Sequence, residues 1–147
     1  MIRLVTEPID PQALVAAVRT DACGAVVSFL GVVRETSPED PRAVASISYE
    51  AYAAMAVPEM EAIAREAAVA FGPLEIALVH RTGTVALGEA SVGVAVAAPH
   101  RGHAFDACEY AIDELKARVP IWKQERYAAG GAAWRANRVA DASPDGP

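Results

Sequence analysis

The sequence predicts an α+β fold, a largely antiparallel sheet with about three helices, on three grounds. Its elements run helix, two strands, helix, several strands, helix, which is not the strict alternation of a doubly wound parallel sheet. Two segments alternate apolar and polar residues with the period of two that a half-buried strand requires. Three others repeat apolar residues at helical spacing along one stripe. At 147 residues and 53% hydrophobic content the chain can fill one core and is short for two, so a single domain over residues 1–139 is expected.

Asp10-Pro11 reads as the N-cap and first residue of a helix reaching about Arg19, with Leu14, Val15 and Val18 on one face. Gly24 interrupts, and the valine-rich run from Ala25 to Val33 reads as a buried strand. Residues 34–42 hold two prolines among polar side chains, which predicts a mobile loop able to act as a lid. From Val44 to Tyr52, Ala45, Ile47, Tyr49 and Ala51 alternate with Val44, Ser46, Ser48 and Glu50. Pro58 is expected to open a second helix ending near Phe71, with Met60, Ile63, Ala67, Ala70 and Phe71 on its apolar stripe and Gly72-Pro73 as its stop. Strands follow at about Glu75 to Arg81 and Ser91 to Ala98, with a short stretch from Thr84 to Leu87 between them. A third helix, His103 to Arg118, turns Phe105, Cys108, Ala111, Ile112 and Leu115 inward and leaves Lys116 on the flank. Residues 140–147 are small and polar and read as a disordered tail.

Charge and composition exclude several classes. A net charge of -6 argues against nonspecific nucleic-acid binding, which demands a basic surface. No apolar run reaches the roughly 18 to 20 residues needed to span a bilayer, and the first residues show no targeting pattern, so a cytoplasmic protein is expected. Cys23 and Cys108 stand far apart with no metal-ligand spacing, so each reads as a small hydrophobe and no metal site is expected.

The most informative segment is 113–126, where Lys116 and Lys123 bracket Pro120. Proline ends the helix near Arg118, so Lys123 should lie on an extended segment folding back, and the two ammonium groups can converge on one pocket. A partly desolvated lysine serves as nucleophile, proton carrier or anion clamp, and Trp122 beside Lys123 is a candidate apolar wall or planar stacking surface. The bland alternative is a pair of solvated lysines favoured by the helix dipole. His100-Arg101 joins a strand to a helix N-terminus, where backbone N–H groups and a guanidinium fork suit an anion. Arg34 closes a strand at the mouth of the 34–42 loop. Arg34, His100, Arg101, Lys116 and Lys123 all lie at ends of elements in an acidic chain, and a shared anionic ligand explains that placement. Glu125 and Arg126 either complete the site or pair with each other on the surface.

Five segments taken in order carry a resemblance: Gly24-Ala-Val-Val-Ser-Phe-Leu-Gly-Val-Val-Arg34, Ile47-Ser-Tyr-Glu-Ala-Tyr52, Val79-His-Arg-Thr-Gly83, Ala98-Pro-His-Arg101 and Val119-Pro-Ile-Trp-Lys-Gln-Glu125. The ordered set, from about Pro8 to Asn137, resembles the large, catalytic subunit of molybdopterin synthase. The resemblance implies an α/β hammerhead fold and conversion of cyclic pyranopterin monophosphate to molybdopterin by insertion of two dithiolene sulfurs. It also implies that the sulfur arrives as the C-terminal thiocarboxylate of a small ubiquitin-like sulfur-carrier subunit, with no permanently bound cofactor. The assembly implied is a heterotetramer built on a homodimer of this chain. Carried over residue by residue, Lys116 and Lys123 match the catalytic lysines, and Arg34, His100, Arg101 and Glu125 match substrate-binding positions. Val32, Val33 and Gln124 fall at neighbouring substrate-binding positions; a lysine stands at the position of Val32 in some relatives. Two other classes use the same residues: a noncatalytic module keeping the anion pocket, and a lysine Schiff-base enzyme acting on a phosphorylated carbonyl compound.

Overall fold

The computed structural model describes residues 1–136. The expected tail at 140–147 lies outside the described residues. In order the elements are β1 (Ile2–Val5), α1 (Pro11–Val18), β2 (Ala25–Val32), β3 (Val44–Ala51), α2 (Ala53–Phe71), β4 (Glu75–Arg81), β5 (Gly83–Ala86), β6 (Ala90–Ala98), α3 (Arg101–Arg118), β7 (Ile121–Tyr127) and β8 (Ala132–Ala136). The α+β expectation holds, but the strands form two four-stranded sheets, ordered β1-β4-β6-β2 and β5-β3-β7-β8. Among the described residues only β1 with β4 is a parallel pair; the other pairs are antiparallel.

The first sheet is covered on both faces, which explains why β6 is buried almost throughout rather than alternating. Leu78, Val92, Val94 and Val96 face the main core shared with α2, α3 and the second sheet. Ala77, Val79, Ala95 and Ala97 face α1, where Leu14 and Val18 complete a smaller cluster. Asp10 caps α1 by accepting a 2.9 Å hydrogen bond from the Gln12 N–H.

Several expectations are corrected. Helix α2 begins at Ala53, so Pro58 lies inside it. Helix-favouring alanines start the turn, Tyr52 C=O accepts from the Met55 and Ala56 N–H groups, and burial of Ala56 and Met60 outweighs the missing proline donor. Ala70, expected on the apolar stripe, is exposed. Strand β2 is an edge rather than a fully buried strand, and Val26, Phe29 and Val32 are exposed. In β3 the burial parity changes at a register shift between Val44 and Ser46, so Val44 is buried and Ala45 exposed. Helix α3 buries Ala104, Ala107, Cys108, Ala111, Ile112 and Leu115, while Phe105 is 60% exposed. Alanines take the innermost positions and allow α3 to lie close, which turns Phe105 out to the side.

Candidate functional site

Lys116 and Lys123 approach each other as their flanking sequence requires. Helix α3 ends at Arg118, the Val119 N–H still donating to Leu115 C=O, and Pro120 prevents continuation. The chain reverses into β7, which inserts antiparallel between β3 and β8 and sets Lys123 opposite Tyr49 and Arg135. Lys116 is half-buried. Its pKa is held below the ordinary lysine range, first by burial, then by the charges of Lys123 and Arg34; Asp113 opposes the shift. The three cations expected from α3, β7 and the end of β2 therefore share one electrostatic site.

Arg34 is exposed just beyond β2, on a firmly held base. Val33 lies in the core, its N–H donating to Glu89 C=O and its C=O accepting from the Gly88 N–H. With side chain and backbone so engaged, Val33 anchors the base of Arg34. Val32 points outward and is 56% exposed.

The loop after Arg34 is tethered in this structure rather than hanging free as a lid. The Val44 N–H donates to Glu35 C=O at 2.8 Å, and the Asp40 carboxylate accepts from the Arg42 backbone and side chain. Arg135 of β8 reaches the same carboxylate at 3.0 Å, and the Arg42 guanidinium lies 3.8 Å above the Tyr127 ring. Glu125 joins this network: buried, it accepts from the Tyr127 hydroxyl at 3.0 Å and pairs with Arg135 at 3.5 Å. It does not pair with Arg126, whose Nε donates to Ser48 Oγ.

Strand alternation corrects the expectation for Trp122 and places Gln124. Lys123, Glu125 and Tyr127 share one face of β7, and Trp122, Gln124 and Arg126 the other. Trp122 is 50% exposed and so does not wall the Lys123 pocket; Tyr49, directly across from Lys123, stands on that side instead. Gln124 lies opposite Ser48 and Trp134 on the outer face, away from Lys116 and Lys123.

His100 occupies the N-cap position of α3 without a side-chain capping bond, and Arg101 begins the helix. Together with Gly24, Ala25, Pro99 and Gly102 they line an open depression of about 480 Å³. This depression does not meet the lysines within one chain. Arg101 and Lys116 are separated along α3 by roughly 22 Å at 1.5 Å rise per residue. Among the described residues no cluster of His, Cys, Asp and Glu suited to a metal occurs, and no helix is long and apolar enough to cross a membrane. Cys108 is buried and its thiol is pushed up to about 11 by desolvation, whereas Cys23 is only partly buried.

His80 was not singled out by itself from the sequence. It is buried on β4, edge-on to Tyr49 and near enough to Lys116 to feel its charge. The available signal was a titratable residue directly following the apolar run from Ile76 to Val79.

Comparison with known proteins accords with the two-sheet fold. Residues 4–118 match the family described as MoaE protein. A molybdopterin synthase catalytic subunit from Coccidioides immitis is 41% identical over 148 residues, covering 99% of this chain and 74% of that relative. One from Oryza sativa subsp. indica is 47% identical over 130 residues, covering 88% of this chain and 66% of its own length. Among solved structures, molybdopterin synthase from Staphylococcus aureus superposes with a TM-score of 0.86 at 34% identity, covering 91% of this chain and 96% of that one. The MoaE protein from Burkholderia ambifaria gives 0.79 at 35% identity, covering 95% and 90%. With identity and fold agreeing across nearly the whole chain, the protein belongs to the MoaE family, that of the molybdopterin synthase catalytic subunits.

Proposed function

We propose that this chain converts cyclic pyranopterin monophosphate to molybdopterin, inserting two sulfurs delivered as the C-terminal thiocarboxylate of a small ubiquitin-like subunit. The observation that carries the reading is a half-buried Lys116 crowded by Lys123 and Arg34. Sulfur attack at the pyran carbons requires proton transfer and stabilisation of a developing oxyanion. A lysine whose pKa is lowered toward the working pH can exchange the proton, and neighbouring cations can hold the oxyanion. Lys116 acts at the reacting centre, and Lys123 clamps the tail carboxylate or the same intermediate. Arg34 meets the anionic end of the substrate.

His100 and Arg101 contribute from a second copy of the chain. Their separation from Lys116 by most of a helix length supports this assignment, since one small phosphorylated pterin does not bridge both places within a protomer. Glu125 orders Arg135 and Tyr127 beside Lys123. Val32, exposed at the end of β2, and Gln124, on the outer face of β7, contact ligand only if a neighbouring subunit closes on them. A two-subunit complex of molybdopterin-converting factor from Helicobacter pylori shares the fold at a TM-score of 0.70 and 20% identity. The small-subunit partner, the homodimer within a heterotetramer, the absence of a resident cofactor and a cytoplasmic setting belong to the same reading.

Single-turnover conversion of cyclic pyranopterin monophosphate with a thiocarboxylated small subunit tests it. The parent should form the dithiolene, and a folded Lys116→Ala should lose about 10²–10⁴-fold in rate, the usual range for general acid–base catalysis. A folded parent that binds the small subunit but forms no dithiolene overturns the proposal.

A further inference from the structure

Arg81 is a buried cation that the proposed reaction leaves unused. It ends β4 at 9% exposure, and its guanidinium bonds in two directions. Nε donates to Thr6 C=O at 3.1 Å, and Nη1 donates to Glu89 Oε2 at 3.0 Å. The backbone beside Thr6 is itself held, since the Thr82 N–H donates to Val5 C=O at 2.8 Å. The guanidinium is therefore fixed from behind where it meets Glu89.

Glu89 passes that restraint to a turn. The same Oε2 accepts from the Ala86 N–H at 3.0 Å, and the Glu89 N–H donates to Ala86 C=O at 3.0 Å, closing residues 86–89. Gly88 sits inside the turn at φ 81°, a conformation that a residue without a Cβ adopts freely. The turn grips the residue before Arg34 on both its backbone groups. The Val33 N–H donates to Glu89 C=O at 3.0 Å, and Val33 C=O accepts from the Gly88 N–H at 2.8 Å. From Thr6 to Arg34 every link is a hydrogen bond or a covalent bond. Arg34 itself is exposed, so its backbone rather than a packed side chain sets where its guanidinium starts.

From this chain of contacts we infer that Arg81 and Glu89 are positioning residues for Arg34. The pair fixes the turn that determines how the chain leaves β2, and with it the point from which Arg34 reaches the anionic end of the substrate. The inference rests on the role proposed for Arg34. Arg81 and Glu89 touch no ligand themselves.

One oxygen of Glu89 accepts both side-chain bonds, and two substitutions exploit that. Glu89→Gln can set its amide oxygen in the place of Oε2, whereas Glu89→Ala releases both Arg81 and the Ala86 N–H. In Glu89→Ala, amide exchange at Val33 and Gly88 should quicken. KM for cyclic pyranopterin monophosphate should rise about three- to tenfold with kcat changing less, the range of one hydrogen bond lost from ground-state binding. Glu89→Gln should stay close to the parent in both measurements. A double-mutant cycle separates positioning from general loosening: in an Arg34→Ala background Glu89→Ala should add no further rise in KM, because the residue it acts through is gone. An equal rise in both backgrounds overturns the inference, as does unchanged exchange at Val33 or an unchanged KM in a folded Glu89→Ala. Should Glu89→Ala not fold, Glu89→Asp enters the same cycle, its carboxylate drawn back by one methylene. A parent without turnover refutes the sulfur-transfer reading and this inference with it; a parent that turns over, with equal losses in both backgrounds, refutes the positioning role alone.

Discussion

Substituting Gly24 by alanine tests whether the depression around His100 and Arg101 holds substrate. Gly24 immediately precedes β2, and a Cβ there would stand 2.6 Å from the Pro99 carbonyl oxygen and 3.7 Å from its carbonyl carbon. Both atoms are backbone, so no side chain can rotate away; β2 and the end of β6 must part by several tenths of an ångström. Overpacking of this kind costs about 1–3 kcal/mol. For a chain of this length that corresponds to a Tm lowered by roughly 3–10 °C. The displaced residue immediately precedes His100 and Arg101, so the anion contacts move with it. KM for cyclic pyranopterin monophosphate should rise about tenfold, with kcat changing less, because the lost contacts bind ground state and transition state alike. Calorimetry gives the first quantity and steady-state assays with excess thiocarboxylated partner the second. A lowered Tm with unchanged KM would remove the depression from the substrate site. If neither quantity changed, the close approach itself would be refuted.

Acid should weaken the α2–α3 contact. Arg118 is held by Glu59, Glu66 and Glu114, and Glu66 is lowered to about 2 by its hydrogen bonds to Arg118 and then Tyr110. A carboxylate with a depressed folded pKa stabilises the fold above its unfolded value and loses that contribution as pH falls through the folded one. The urea midpoint should therefore drop between the ordinary 4.5 and about 2, and Arg118→Gln should flatten the dependence; an identical slope in the variant would count against the clamp. In the loop after Arg34, Asp40→Ala removes the acceptor of the Arg42 N–H and the anchor of Arg135, so amide exchange at Arg42 should quicken, and unchanged exchange would show that other contacts hold the loop.

Much of this fold was legible because local chemistry and burial agreed. The Asp10 cap, the periodicity of α3, the break at Pro120 and the runs of β4 and β6 each point to one structure. Strands β1 and β8 were not seen: one is a four-residue edge strand, and the other is mostly alanine, with little intrinsic strand preference. Pro58 misled because its penalty is local, whereas burial of Ala56 and Met60 is tertiary. Trp122 misled in another way. Sequence adjacency to Lys123 suggested shared surroundings, but on a strand neighbouring residues face apart. The pairing of Arg135 with Glu125 and Asp40 was not legible, since it joins residues from three separate parts of the chain.

The separation of the His100–Arg101 depression from the lysines follows from helix geometry once both lie on α3. The helix also gives its two ends different electrostatic work. At its N-terminus the free N–H groups and positive end of the dipole favour an anion before any side chain contributes. At its C-terminus the dipole favours the ammonium of Lys116, while burial, Lys123 and Arg34 oppose it. Among the described residues Asp113 is the one acid acting on Lys116, so the cluster has excess positive charge in a chain whose net charge is -6. Repulsion among those cations disfavours the empty site and is relieved when an anion enters. The same fields that lower the Lys116 pKa in the free protein thus prepare both ends of α3 for negatively charged ligands. On the proposed reading, a phosphate held at one end and a thiocarboxylate at the other meet in a single reaction site only where a second copy brings the N-terminus of its α3 to the lysines of the first.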